Sequence, residues 1–207
     1  MTDVNGEMAI SAAPAALGSI DTELVIQARS GVAEAREELA RRYREPAYLL
    51  GLQLTGNRED AMDVAQEALL RFFATLDRFQ EARPVRPYLL RIVRNQAMDL
   101  WRRRRVRRAE SLDAGELPRQ IADDRPGPEE SARRAELRRR VWQAVAGLPT
   151  AKREILVLRD YHDLAYAEIA RVLGIPIGTV MSRLHAARKA LRAALVADGF
   201  GKAGEEQ

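Results

Sequence analysis

Three clusters of side chains in this sequence could do chemistry, and in each the chemistry is recognition. The stretch "MDLWRRRRVRR", Met98 to Arg108, sets six arginines and a tryptophan at the end of an amphipathic run. Planar guanidinium forks in that density suit phosphate oxygens. A second basic stretch, "GTVMSRLHAARKALRAAL", displays Ser182, Arg183, His185, Arg188, Lys189 and Arg192, with no acidic residue from Gly178 to Val196. A third cluster, Asp63, Gln66 and Glu67, puts carboxylates at i and i+4 on one helical face, suited to basic residues on a partner helix. Catalysis has no comparable candidates. The chain has no cysteine, its two histidines (His162 and His185) share no ligand spacing, and no glycine-rich phosphate loop is present. We therefore expect no enzyme, no cofactor and no metal.

Charge is segregated along the chain. Residues 1–82 carry a net −6, residues 83–109 a net +9, residues 110–132 a net −5 and residues 133–196 a net +8. Two basic blocks separated by an acidic one imply two places that meet a polyanion. The N-terminus holds Asp3 and Glu7 where a secretory leader needs positive charge. Arg or Glu interrupts every apolar run before the ~18 residues of a membrane span. The expectation is a cytoplasmic protein without membrane insertion.

Helices must position these clusters, because apolar residues recur at helical spacing and nowhere alternate with period two. Leu39, Tyr43, Leu50 and Leu54 mark a helix over 32–54, and Ala61, Val64, Ala68, Phe72 and Leu76 another over 57–79, with Asn57 as its N-cap. A short helix is expected over 22–29, and one from Pro87 into the arginine run, with Trp101 either a stacking platform or, the favoured reading, part of the core. Further helices are expected over 133–146, 150–161, 166–173 and 178–195. The segment from Ala109 is acidic and proline-bearing, with no helical stripe. The fold class is thus all-α. It divides into a disordered N-terminus (1–20), a first helical domain (21–108), a flexible acidic linker (109–132), a second helical domain (133–196) and a tail (197–207).

The last two helices carry the most specific signal. Ile169, Ala170 and Leu173 precede a turn at Gly174, and Val180, Leu184 and Ala187 follow it: helix-turn-helix grammar, with a basic second helix fit for a major groove. Together with "EDAMDVAQEALLRFFATLDRF", "RPYLLRIVRNQAMDLWRRRR" and "LPTAKREILVLRDYHDLAYAEIARVLGIPIGTVMSRLHAARKALR", the chain resembles bacterial sigma factors of the extracytoplasmic-function (ECF) class of the sigma-70 family. The resemblance implies an alternative sigma factor that binds core RNA polymerase and promoter DNA. Region 2 would open the minus-10 element and region 4 would read the minus-35 element.

Carried over by position, Asp63, Gln66 and Glu67 fall in the polymerase-binding stretch. Tyr88, Asn95, Arg102, Arg103, Arg104 and Arg105 fall on the minus-10 side, Tyr88 standing where relatives usually have tryptophan and Asn95 near a flipped base. Thr179, Met181, Ser182, Arg183, His185 and Arg188 fall on the minus-35 side. Ser182 and His185 are the candidate base readers there, and Thr179, Arg183 and Arg188 the phosphate anchors. Met181 and Ala186 replace residues that are often basic in relatives. An anti-sigma factor is a further partner that the resemblance implies. The rival reading is a free-standing helix-turn-helix regulator, which leaves the Asn95–Arg108 stretch without a purpose.

Overall fold

The computed structural model describes residues 13–80, 83–110 and 132–199. Its elements are α1 (Ala13–Arg29), α2 (Ala33–Thr55), α3 (Arg58–Ala74), a 3-10 turn (Leu76–Arg78), α4 (Val85–Glu110), α5 (Ala132–Ala146), α6 (Thr150–Leu156), α7 (Tyr166–Leu173) and α8 (Ile177–Ala197). A π-helical turn, Val157–Tyr161, extends α6. Among the described residues there is no strand.

The first helical unit packs α2, α3 and α4 together with α1 alongside. Gly56 ends α2 at φ 72°, a left-handed conformation glycine adopts without strain. Asn57 then caps α3, its Oδ1 accepting the Asp60 N–H at 3.0 Å. Helices α2 and α3 approach closely because position 51 is glycine: a Cβ there would sit 3.1 Å from the Ala61 carbonyl oxygen. Leu39, Leu50, Leu54, Ala61, Ala68, Phe72, Leu89, Leu90 and Val93 fill the core. Phe79 stands edge-on to Tyr88 with centroids 5.0 Å apart.

In the second unit, Trp142, Val145, Ile155, Leu158, Ile169, Val172, Val180, Leu184 and Ala187 are buried. Trp142 stacks on Tyr161 with centroids 4.4 Å apart. The π-turn ends on a hydrogen bond from the His162 N–H to the Val157 carbonyl at 3.1 Å, and the added residue rotates the chain so that His162 points inward.

The two units meet along a seam in which α4 packs on α7 and α2 touches α6. Arg94 Nε and Nη2 each lie 3.2 Å from a carboxylate oxygen of Glu154. His162 Nε2 donates to Gln53 Oε1 at 2.9 Å. Glu154, His162 and Gln53 are all buried.

Several expected boundaries move. Helix α1 begins at Ala13, so 13–20 are helical where a disordered lead-in was expected; alanine, the strongest helix former, dominates its first turn. Residues 1–12 lie outside the described residues. The helix expected over 57–79 stops at Ala74, where Thr75 turns the chain. Arginine is a good helix former, so α4 runs through Glu110, two residues into the expected linker, and α5 starts at Ala132. The remaining linker, 111–131, lies outside the described residues, as does the tail from 200 onward. Trp101, expected in the core, is only half-buried and stands outside the apolar cluster, in a stretch where charged arginines take the place of apolar packing partners.

Candidate nucleic-acid and polymerase surfaces

Helix α8 is built to be read from one side. Gly174 at φ 67° closes α7, Pro176 precedes α8, and Val180, Leu184 and Ala187 seat the inner face at helical spacing. That leaves Met181, Ser182, Arg183, His185, Arg188 and Lys189 exposed together, with Thr179 half-buried. The Ser182 hydroxyl donates back to the Thr179 carbonyl at 3.2 Å. Arg188 is already engaged, its Nη2 lying 2.6 Å from Asp160 Oδ1, whereas Arg183 pairs with no described carboxylate. An anion reaching Arg188 competes with Asp160 for it or binds at the remaining donors of its half-exposed guanidinium.

On α4, Tyr88 and Asn95 lie two turns apart on one face. The Tyr88 hydroxyl hydrogen-bonds Thr75 Oγ1 at 3.1 Å, and the Arg91 guanidinium lies 5.5 Å from the Tyr88 ring centroid. Asn95 is exposed. The arginine run does not act as a unit. Arg102 pairs with Asp99 at 2.8 Å within its own helix, and Arg103 is exposed. Arg104 reaches back to Asp60 at 2.5 Å, clamping α4 to the N-terminal turn of α3. The Arg105 side chain lies outside the described residues.

On α3, Asp63, Gln66 and Glu67 are all exposed, and Glu67 also pairs with Arg71 at 2.7 Å. Of the apolar neighbours, Leu70, expected beside this face, is 59% exposed, and Met62, which the sequence did not single out, is 58% exposed. They border an open groove of ≈1080 Å³ between α2 and α3, which Tyr48, Leu49 and Phe73 also line. The signal was available. Met62 and Leu70, eight residues apart, fall on the face away from Val64 and Ala68.

Among the described residues no three acidic or histidine side chains could share a metal ion, and no helix is long and apolar enough to cross a membrane.

Comparison with known proteins decides the family. The sigma-70 region 2 family matches residues 39–107 and the sigma-70 region 4 family residues 138–191. The ECF RNA polymerase sigma factor SigW of Bacillus subtilis is 32% identical over 174 residues, covering 80% of this chain and 91% of SigW. The RNA polymerase sigma factor CnrH of Cupriavidus metallidurans is 37% identical over 187 residues, covering 86% and 95%. The chain is an ECF sigma factor of the sigma-70 family. In three dimensions it resembles CnrH in complex with the cytosolic domain of CnrY, with a TM-score of 0.65, 29% identity and coverage of 86% of this chain and 98% of that one. The sigma factor RpoE of Bartonella quintana shares the fold at 22% identity and a TM-score of 0.67. As a member of this family the ECF factor binds core RNA polymerase and promoter DNA and directs transcription initiation. That sets aside the free-standing regulator.

Proposed function

We propose a division of labour among the three surfaces. The outer face of α3, with Asp63, Gln66 and Glu67 flanked by Met62 and Leu70, docks core polymerase: apolar area supplies affinity and the carboxylates choose a basic partner. Helix α4 handles the minus-10 element, Asn95 meeting a base edge and Tyr88, Arg102 and Arg103 the strand around it. Arg104 supports that helix through Asp60. Helix α8 enters the major groove of the minus-35 element, with Ser182 and His185 toward bases and Thr179, Arg183 and Arg188 toward phosphates.

The observation that carries this reading is the one-sidedness of α8, whose inner face is spent on the core while its outer face contributes cations and no carboxylate of its own. The test is transcription by purified core polymerase with and without this chain. Initiation at a discrete start site, with a minus-35 footprint lost on substituting Arg183 and His185, supports it. Unchanged start sites without the chain would overturn it.

CnrH is held by the cytosolic domain of CnrY. We extend this to a regulatory protein partner, an anti-sigma factor, that occupies the α2/α3 groove and so competes with polymerase. A pull-down from native cells whose product core polymerase displaces supports this. A partner retained alongside polymerase contradicts it.

A further inference from the structure

We propose that Ile177 and Met181 read thymine C5-methyl groups in the duplex that α8 enters. This rests on the minus-35 reading above and adds the chemistry of the recognised bases.

Ile177 is 48% exposed and Met181 51% exposed, although both lie in a helix whose apolar needs Val180, Leu184 and Ala187 already meet. Spaced i and i+4, they stand one above the other on a single face. Ile177 is the first residue of α8, and the N-terminal residues of a recognition helix are the ones that contact base edges.

What could cover this apolar pair? Along the same helix His185 follows Met181 by one turn and Arg188 and Lys189 stand further on, and no carboxylate occurs anywhere in α8, so the surface its charge favours is polyanionic. The apolar group that a major groove offers is the methyl of thymine. Gly178 supports the same occupant: a Cβ there would meet no atom within 4 Å, so nothing inside the chain calls for the smallest residue. Its smallness admits a close approach from outside. The two side chains differ in kind, isoleucine presenting a stiff branched edge and methionine a flexible, polarisable thioether that adapts to its neighbour. Four residues of helix rise about 6 Å, close to two base-pair steps of about 3.4 Å each. The pair therefore fits two methyls within about two steps of one another.

The experiment uses holoenzyme formed from the full chain and a promoter from which it initiates, with each minus-35 thymine replaced in turn by deoxyuridine, which lacks only the methyl. Wild-type binding should fall about four-fold at one or two positions, the value of one buried methyl. Ile177→Ala and Met181→Ala should each abolish the sensitivity at one of them, with helix content unchanged by circular dichroism. Uracil-insensitive binding, or sensitivity that persists in both variants, would overturn the proposal. Transversions at the same positions distinguish the two readings. If they weaken binding while uracil does not, α8 still reads the element and only the methyl contact fails. If neither matters, the minus-35 assignment itself is wrong.

Discussion

Arg94 of α4 and Glu154 of α6, sixty residues apart in sequence, face each other across the seam between the two helical units with both guanidinium–carboxylate contacts at 3.2 Å. The Glu154 side chain is 6% exposed and that of Arg94 25%, so the carboxylate depends on a cation from the other unit. Arg94→Ala should loosen the seam by about 2 kcal/mol, below the 3–5 kcal/mol of a fully buried pair because Arg94 keeps some water. Glu154→Gln should cost less, since an amide buried there carries no charge. Interdomain energy transfer between labelled α1 and α8 checks the order. Equal effects would mean the pair contributes no more than packing.

Acid should open the same seam. Burial, with the Arg86 charge facing it, pushes the His162 imidazole down from 6.5 to about 4. Once exposed, His162 takes up a proton below about pH 6.5, and the buried form does so only near 4, so stability is full above 6.5 and falls as pH drops between those values. The total loss is about 3 kcal/mol. Urea denaturation at pH 7.5 and 5 should show the drop in the wild type and a smaller one in His162→Gln. A parallel drop in both would assign the effect to other groups.

Reversing Asp63 and Glu67 to lysine should weaken holoenzyme formation without unfolding the chain. Both are exposed, and the Glu67–Arg71 pair is an exposed i,i+4 pair contributing about 0.3–0.5 kcal/mol. Met62→Ser with Leu70→Ser should weaken it further. Size-exclusion with core polymerase measures both, and a core complex unaffected by all four changes would rule out α3 as the docking face.

Within the arginine run, Arg103 and Arg104 should separate. Arg103→Ala should lower the salt slope of promoter binding by about 0.7–0.9, the value for one phosphate contact, at constant stability. Arg104→Ala leaves Asp60, 8% exposed, without its cation and should lower stability by about 1–3 kcal/mol. A melting temperature unchanged in Arg104→Ala would return that residue to the phosphate-binding set.

Local structure was legible because its causes are local. Asn57 caps α3 and Gly174 closes α7 where the turn residues stand, and the 3–4 spacing of Val180, Leu184 and Ala187 gave the buried face of α8. Most of the residues expected to touch DNA and polymerase stand exposed, while Tyr88, Arg104 and Thr179 are half-buried. Their present partners were not legible. Arg104–Asp60, Arg188–Asp160 and His162–Gln53 join residues 44, 28 and 109 apart, and no periodicity announces such a pairing. In a chain so rich in arginine, every carboxylate has many candidate cations and the fold selects one. The seam was illegible for the same reason, and the acidic segment between the domains suggested two independent bodies.

That seam also sets a length. On the proposed assignment the two helical units read elements named for positions 10 and 35, about 25 base pairs apart, or about 85 Å along B-form DNA. Units of this size have radii of gyration near 11–12 Å, so in contact their centres lie about 30 Å apart. A closed chain is too short a ruler for the promoter. Residues 111–131 can reach at most about 70 Å, which with the width of the two units is enough once they part. Reading both elements at once therefore requires Arg94 to leave Glu154 and His162 to leave Gln53, so the factor measures a full promoter only after giving up its own compactness.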